Sequence, residues 1–303
     1  MTEAVPYVTA GPFDVHSPEW HAHRRKCIGA SEVAAILGVE GAYGTPLKIW
    51  ADKRGFFEEE KDEADAPEYL HFGQVMEPVI ASEFERRTGM KVEDEQRQFV
   101  STLFPFLGCS LDRWTWKSKA KGPLELKNTS GFMKWRWEDG IWLPYQVQVQ
   151  AQMAVTGAEF AAVAVLVGGN EFKWALAERN QRFIDAMLEK LERFWESVEK
   201  DEMPDPVASD TKLIGTLLGK EVEGMVIALS PEWNDVDAEL LKIKEEIKGL
   251  TARKDELEAR LKKEIGKAER GVLPGGSQYT FKTVPRQAYT VAASEARQLR
   301  RIK

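Results

Sequence analysis

The apolar positions in the middle of this chain recur with two different periods, and the change of period marks out its elements. Residues 106–116 and 123–127 alternate or are largely apolar, which predicts two strands joined by a turn at 117–122. On a strand with a side-chain period of two, Glu125 and Lys127 point to one face while Leu124 and Leu126 point to the other. Hairpin closure would bring Asp112 beside the first pair. Residues 160–167 form a continuous apolar run ending at Gly168-Gly169, which predicts a buried strand with a partner at 171–177. From 180 to 200 the period becomes helical, with Phe183, Met187, Leu191, Phe194 and Val198 on one face.

Helix punctuation fills in the rest. Thr45-Pro46 predicts a cap and first turn, with Gly55 as the stop, and Ser31 before Glu-Val-Ala-Ala-Ile-Leu reads as an N-cap with Gly38 as its stop. Glu77 precedes Pro78 at a helix start or kink, followed by the apolar Val79, Ile80 and Phe84 and a stop at Gly89. A helix from Pro144 to Gly157 carries an apolar stripe of Val147, Ala151, Ala154 and Val155, leaving its glutamines to the other faces. Gln148 and Gln150 lie about 200° apart on it, so only one of them can face a given site squarely. The order of these elements predicts an α/β fold with a central mixed sheet flanked by helices.

Prolines and acids at 203–207 place a boundary that separates a domain at 1–206 from an arm at 207–303. In the arm, Ser230-Pro231 opens a long helix with Val236, Leu240, Ile243, Ile247, Leu250, Leu257 and Leu261 at heptad spacing, broken once by Lys254. It ends in the Gly-bearing 266–276, followed by a strand-like 278–284 and a basic amphipathic tail at 297–303. A coiled-coil or helical-hairpin arm of this kind can drive self-assembly, dock a partner or brace the domain, and the pattern does not choose among these.

Composition narrows the function classes. The chain has 303 residues and a formal net charge of −7, which argues against a generally basic DNA coat and for a locally basic channel. Much of the acid falls at 58–68, read as an exposed loop. Two cysteines, Cys27 and Cys109, exclude a disulfide framework and a four-cysteine cluster within one chain. The four histidines, His16, His21, His23 and His71, lack zinc spacing. With no bilayer-length apolar run and no signal-peptide pattern, a cytoplasmic protein is expected.

The candidate chemistry is D-x12-E-x-K, formed by Asp112, Glu125 and Lys127. Paired carboxylates bind the hard ions Mg²⁺ or Mn²⁺, and a neighbouring lysine can orient or help deprotonate a water that attacks a phosphodiester. The bland alternative is an exposed hairpin with a surface Glu/Lys pair. Tryptophans 114, 116, 135, 137 and 142 cluster nearby, interleaved with Lys134 and Arg136, and fit either core packing or stacking on frayed bases.

Five motifs occur together: Ile28-Gly29-Ala30-Ser31-Glu32, Gly73-x-x-x-Glu77-Pro78, Ser110-Leu111-Asp112-Arg113, Glu125-Leu126-Lys127 and the glutamines of 146–152. In order and spacing the chain resembles, over roughly residues 15–200, the YqaJ-like viral recombinase family, whose best-known relative is the lambda-type phage exonuclease. The resemblance implies a PD-(D/E)xK nuclease fold that digests linear duplex DNA from 5′ ends with Mg²⁺ and leaves 3′ single strands for recombination. It implies Asp112, Glu125, the Leu126 carbonyl and Glu77 around metal, and Lys127 as water-activating base or electrostatic aid. Gln150 is implied as support for the lysine and substrate, with Gln148 the fallback if the register shifts. Arg24 with Ser31 is implied at a 5′-terminal phosphate, with Arg25 in competition with Arg24. By the same resemblance the protein is expected to form a homo-oligomer, a trimer by analogy, and to work with a single-strand annealing protein. An endonuclease on the same fold and a non-catalytic DNA-end-binding scaffold are the competing readings.

Overall fold

The computed structural model describes residues 6–13, 17–57, 68–286 and 299–301. The acidic run expected as a loop falls outside these apart from Glu68, as does most of the basic tail. The chain divides into two compact units, Met1–Gly219 and Lys220–Lys303.

The first unit begins with β1 (Tyr7–Ala10), α1 (Pro18–Arg24), β2 (Ile28–Gly29), α2 (Val33–Ile36), α3 (Pro46–Lys53) and α4 (Glu68–Thr88). Five strands follow, β3 (Val92–Asp94), β4 (Gln98–Ser101), β5 (Leu107–Ser110), β6 (Arg113–Lys117) and β7 (Ala120–Thr129). Then come α5 (Leu143–Thr156), β8 (Phe160–Val167), β9 (Glu171–Glu178), α6 (Gln181–Glu199) and α7 (Thr211–Leu217). The main sheet is mixed, in the order β3-β6-β7-β8-β9, with β7 and β8 parallel and the other pairs antiparallel. A parallel pair needs a crossover, and α5 supplies it.

The period of two assigns the faces of this sheet. Leu124, Leu126, Ala162 and Ala164 pack against Ile80, Ala81 and Phe84 of α4. On the opposite face Ala161, Val163 and Val165 pack against Val149 and Met153 of α5. Glu125 and Lys127 pair in register with Val163 and Val165, so they share the α5 face. Where β7 passes under Phe160, Gly122 permits the approach, since an added Cβ would collide with the Phe160 carbonyl oxygen.

The expected strand at 106–116 is two strands. β5 belongs to a second sheet, ordered β1-β4-β5-β2, while β6 pairs with β7. Leu111 and Asp112 form the link, with Leu111 buried in the core. The hairpin turn is also shorter than expected, because β7 starts at Ala120 and Ser118 takes a left-handed conformation at φ 57°. Pro78 lies inside α4, not at its start, and Glu77 is a mid-helix residue. Proline removes the donor that would meet the Gln74 carbonyl, and burial of Ile80 and Phe84 holds the helix together across the gap. Val79, read as part of that apolar face, is exposed. Ser31 is not a cap: residues 30–32 form a 3₁₀ turn preceded by Gly29, whose N–H donates to the Glu32 carboxylate at 2.7 Å.

Other expectations hold at the level of single residues. Thr45 caps α3 by accepting from the Lys48 N–H at 3.1 Å, Gly157 ends α5 at φ 73°, and α6 buries Met187, Leu191, Phe194 and Val198. The first unit runs past the boundary expected at 206. Buried Asp210 accepts from the Thr45 hydroxyl at 2.6 Å, and Leu213, Ile214 and Leu217 of α7 pack on the same core as α3 and α6.

In the second unit α8 (Trp233–Ile265) is followed by a hairpin of β10 (Arg270–Val272) and β11 (Gln278–Thr280). α8 buries none of its residues, and Val236, Leu240, Ile243, Ile247, Leu250 and Leu257 of the heptad series are exposed. No helix among the described residues is long and apolar enough to cross a membrane.

Candidate active site

β7 loses its β6 partner after Leu124, which pairs with Arg113. Past that point the Asp112 side chain takes over the strand's free edge, its Oδ2 accepting the Leu126 N–H at 2.7 Å. The N–H and C=O of one residue leave the same edge of an extended strand, so the Leu126 carbonyl also faces Asp112. The chain break that splits the expected strand is therefore what delivers the aspartate. One position earlier on β7, Glu125 points into the α5 face and is only 2% exposed. It accepts from Gln148 Nε2 at 2.6 Å and Gln152 Nε2 at 2.7 Å, and forms an ion pair with Lys127. Asp112, Glu125, Lys127, Glu77, Arg24 and Ser31 all line one cavity of about 590 Å³.

Burial is the largest influence on Asp112, reinforced by the Glu125 and Glu77 carboxylates and opposed by Lys127, and it pushes the carboxyl up to about 8. Glu77 is raised by burial as well, against the pull of Arg113, which lies 3.8 Å away. Burial works against the charge on Lys127, but Glu125 and Asp112 outweigh it and hold the ammonium well above the ordinary lysine range. The site thus gathers more carboxyl groups than one lysine neutralises. Its oxygen donors suit a hard divalent cation, since Mg²⁺ typically takes one or two carboxylates and completes its shell with water and phosphate oxygens. Among the described residues no three His, Cys, Asp or Glu side chains converge into an all-protein metal cage. The donors that could hold such an ion are Asp112, Glu125 and the Leu126 carbonyl, with Glu77 on the same cavity 3.8 Å from Arg113, whose closer partner is Asp94 at 2.7 Å.

Gln150 does not reach the site. Its amide donates to the Glu178 carbonyl at 2.8 Å and accepts the Asn180 N–H at 2.9 Å, tying α5 to the start of α6. The rotation of about 100° per residue decides this: Gln148 and Gln152, four apart, share the face toward β7, and Gln150 lies between them on the far side. Gln148, the expected fallback, is the glutamine that lines the cavity, where it bonds Glu125 and not Lys127, and Gln152 was missed, although its i+4 spacing from Gln148 was legible.

Arg24 and Ser31 do meet. Arg24 lies over Trp20, 4.5 Å from the ring centroid, with Nη2 3.4 Å from the Ser31 hydroxyl and 3.6 Å from Glu32. Lys53, its side chain buried, holds Glu32 at 2.8 Å, so that carboxylate is shared between Lys53 and Arg24. Arg25 turns away, donating to the Phe57 carbonyl at 3.1 Å near Asp52, and does not line the cavity. Of the five tryptophans, Trp114 and Trp137 are buried in the core, Trp116 and Trp142 are half-buried, and Trp135 is 61% exposed.

Against known proteins, the YqaJ-like viral recombinase domain matches residues 19–159, which include every cavity residue named above. The YqaJ protein of Bacillus subtilis (strain 168) is 32% identical over 290 residues, covering 94% of this chain and 89% of that protein. The chain belongs to the YqaJ-like viral recombinase family. The breadth of that match carries it beyond the matched domain and over most of the second unit. Among solved structures, an alkaline exonuclease from Laribacter hongkongensis is 17% identical with a TM-score of 0.49, covering 61% of this YqaJ-family chain and 94% of that one. A phage-related exonuclease from Haemophilus somnus 129PT is 10% identical with a TM-score of 0.45, covering 57% and 94%.

Proposed function

We propose that this YqaJ-family protein is a Mg²⁺-dependent 5′→3′ exonuclease, with Mn²⁺ as a substitute, that acts on linear duplex DNA ends and leaves 3′ single strands. The observation that carries the reading is the shared cavity, lined by Asp112, Glu125 and Lys127 and by the Arg24–Ser31 pair. A divalent ion held by Asp112, Glu125 and the Leu126 carbonyl would supply Lewis acidity to a phosphate oxygen and a water of lowered pKa. Lys127, firmly cationic, acts as an electrostatic guide for the nucleophile and the developing phosphate charge, not as the proton acceptor. Gln148 and Gln152 fix Glu125 without adding charge to the site. Arg24, with its planar fork open to the cavity, takes the 5′-terminal phosphate with Ser31.

Linear duplexes with 5′-phosphate or 5′-hydroxyl ends, incubated beside a covalently closed circle, test this directly. Mg²⁺-dependent loss from 5′-phosphorylated ends is expected, with the circle intact and Lys127→Ala inactive. Arg24→Ala should flatten the preference for phosphate over hydroxyl by about 10- to 100-fold, the worth of one charged hydrogen bond. Cutting of circles would make the protein an endonuclease, and binding with no cutting under any divalent ion would make it a scaffold.

The partners proposed with this activity are a second and third copy of the chain and a single-strand annealing protein. The exposed heptad positions of α8 support self-association through the arm. Mass measurement of the full chain and of residues 1–219 should show a higher oligomer only for the former, and equal states would sink the role of the arm.

A further inference from the structure

Lys127 lies against the ring of Tyr145, 4.9 Å from its centroid, and that ring begins a line of alternating π faces and cations. Tyr145 stacks on buried Trp137 with centroids 5.4 Å apart and meets Trp142 edge-on at 5.4 Å. Trp142 carries the Arg136 guanidinium at 4.0 Å, and the same guanidinium lies 5.3 Å from the ring of Trp135. The line therefore starts at the catalytic lysine, is anchored in the core by Trp137, and ends on an exposed indole.

Arg136 differs from its neighbours in what it lacks. Lys134 is paired with Glu171 at 2.7 Å, whereas no carboxylate among the described residues pairs with Arg136, even with Glu138 and Asp139 just after it in sequence. Its Nε is shielded from solvent and has no acceptor. An arginine set between indoles with no carboxylate to match its charge is prepared for a phosphate oxygen, which the terminal guanidinium N–H groups could meet while the shielded Nε stays in place. Trp135 offers a bare aromatic face beside it, and Phe132, in the same 3₁₀ turn, is 92% exposed. An indole face stacks on a base only if that base is unpaired, because the bases of an intact duplex are stacked on one another.

We propose that Arg136, flanked by Trp135 and Trp142, is a second nucleic-acid subsite that grips one phosphate and stacks one base of a single strand, a few nucleotides from the scissile position. It rests on the nuclease reading of the Lys127 site and adds to it a place where strand separation is held open.

The test is anisotropy of a labelled single-stranded oligothymidine and of a blunt duplex in EDTA, across a salt series, with the full-length protein, Arg136→Gln and Trp135→Ala. Each variant should bind the single strand about tenfold more weakly, as loss of one stacked base or one phosphate contact implies. Arg136→Gln should also lower the salt slope by about 0.7, one phosphate contact on a single strand. Blunt-duplex affinity should stay within about twofold and thermal melting should match the parent, Trp135 being a surface residue. Unchanged single-strand affinity in either variant, or equal weakening on the blunt duplex, overturns the subsite. Cleavage by the same preparations with Mg²⁺ keeps the two claims apart. A protein that binds through Arg136 yet cuts nothing upholds the subsite and overturns the nuclease; one that cuts, with Arg136→Gln unchanged in single-strand affinity, overturns the subsite alone.

Discussion

Asp112→Asn should abolish cleavage, by about a thousandfold or more, and at the same time remove a pH-dependent weakness of the metal-free protein. Asparagine keeps the shape and an oxygen to accept the Leu126 N–H, so the edge of β7 stays capped. What it loses is the charge. In the parent the Asp112 carboxyl is raised from 3.8 to about 8, by burial first and by Glu125 and Glu77 after it. The folded protein then holds a proton that the unfolded chain releases, so the associated stability is fully present below pH 4 and declines as pH rises through 8. Thermal melts in EDTA between pH 4 and 8 should show the parent losing stability with pH and the variant losing less. Mg²⁺ should restore the parent at the alkaline end and do little for the variant. Parallel pH profiles for the two proteins in EDTA would show that Asp112 carries no such strain.

That prediction depends on a feature only half legible in the sequence. The spacing of Asp112, Glu125 and Lys127 and the alternation in Leu124-Glu125-Leu126-Lys127 put the two acids and the lysine together, and the fold does so. Alternation could not reveal that 106–116 changes sheets at Leu111 and Asp112, because each half is locally a good strand and the break is decided by long-range pairing with β4 and β7. Helices with strong stripes and caps, α3, α5 and α6, were legible for the opposite reason: their signals are local. Of the two readings of Pro78, helix start and kink, the first fails, because tertiary packing of Ile80 and Phe84 carries the helix through the proline. Ser31 misled because residues 30–32 form a 3₁₀ turn in which the Glu32 carboxylate takes the Gly29 N–H. Among the glutamines the choice was geometric: one helical turn separates Gln148 from Gln152, and counting in fours instead of twos finds both.

Glu125→Ala should cost more than catalysis. Glu125 is held by three side-chain donors at once, and removing it strands Gln148 Nε2, Gln152 Nε2 and the Lys127 ammonium in the same enclosed space. Breaking a buried ion pair from one side costs about 3–5 kcal/mol, because the surviving charge is left uncompensated. Lys127 keeps some contact with water, its side chain being 24% exposed, so a loss of about 3 kcal/mol, the low end, is expected. For a unit of this size that is roughly a 6–12 °C drop in melting temperature. Glu125→Gln preserves the volume and leaves one carbonyl acceptor for the two glutamine amides, so it should recover about half of the loss while staying inactive, its charge being absent. Differential scanning calorimetry of the two variants beside Gln150→Ala makes the comparison sharp, since Gln150 only joins α5 to α6 and should leave cleavage within a fewfold of the parent. If Glu125→Ala melts with the parent, or if Gln150→Ala is the variant that loses cleavage, the three-donor grip on Glu125 is not what organises this site.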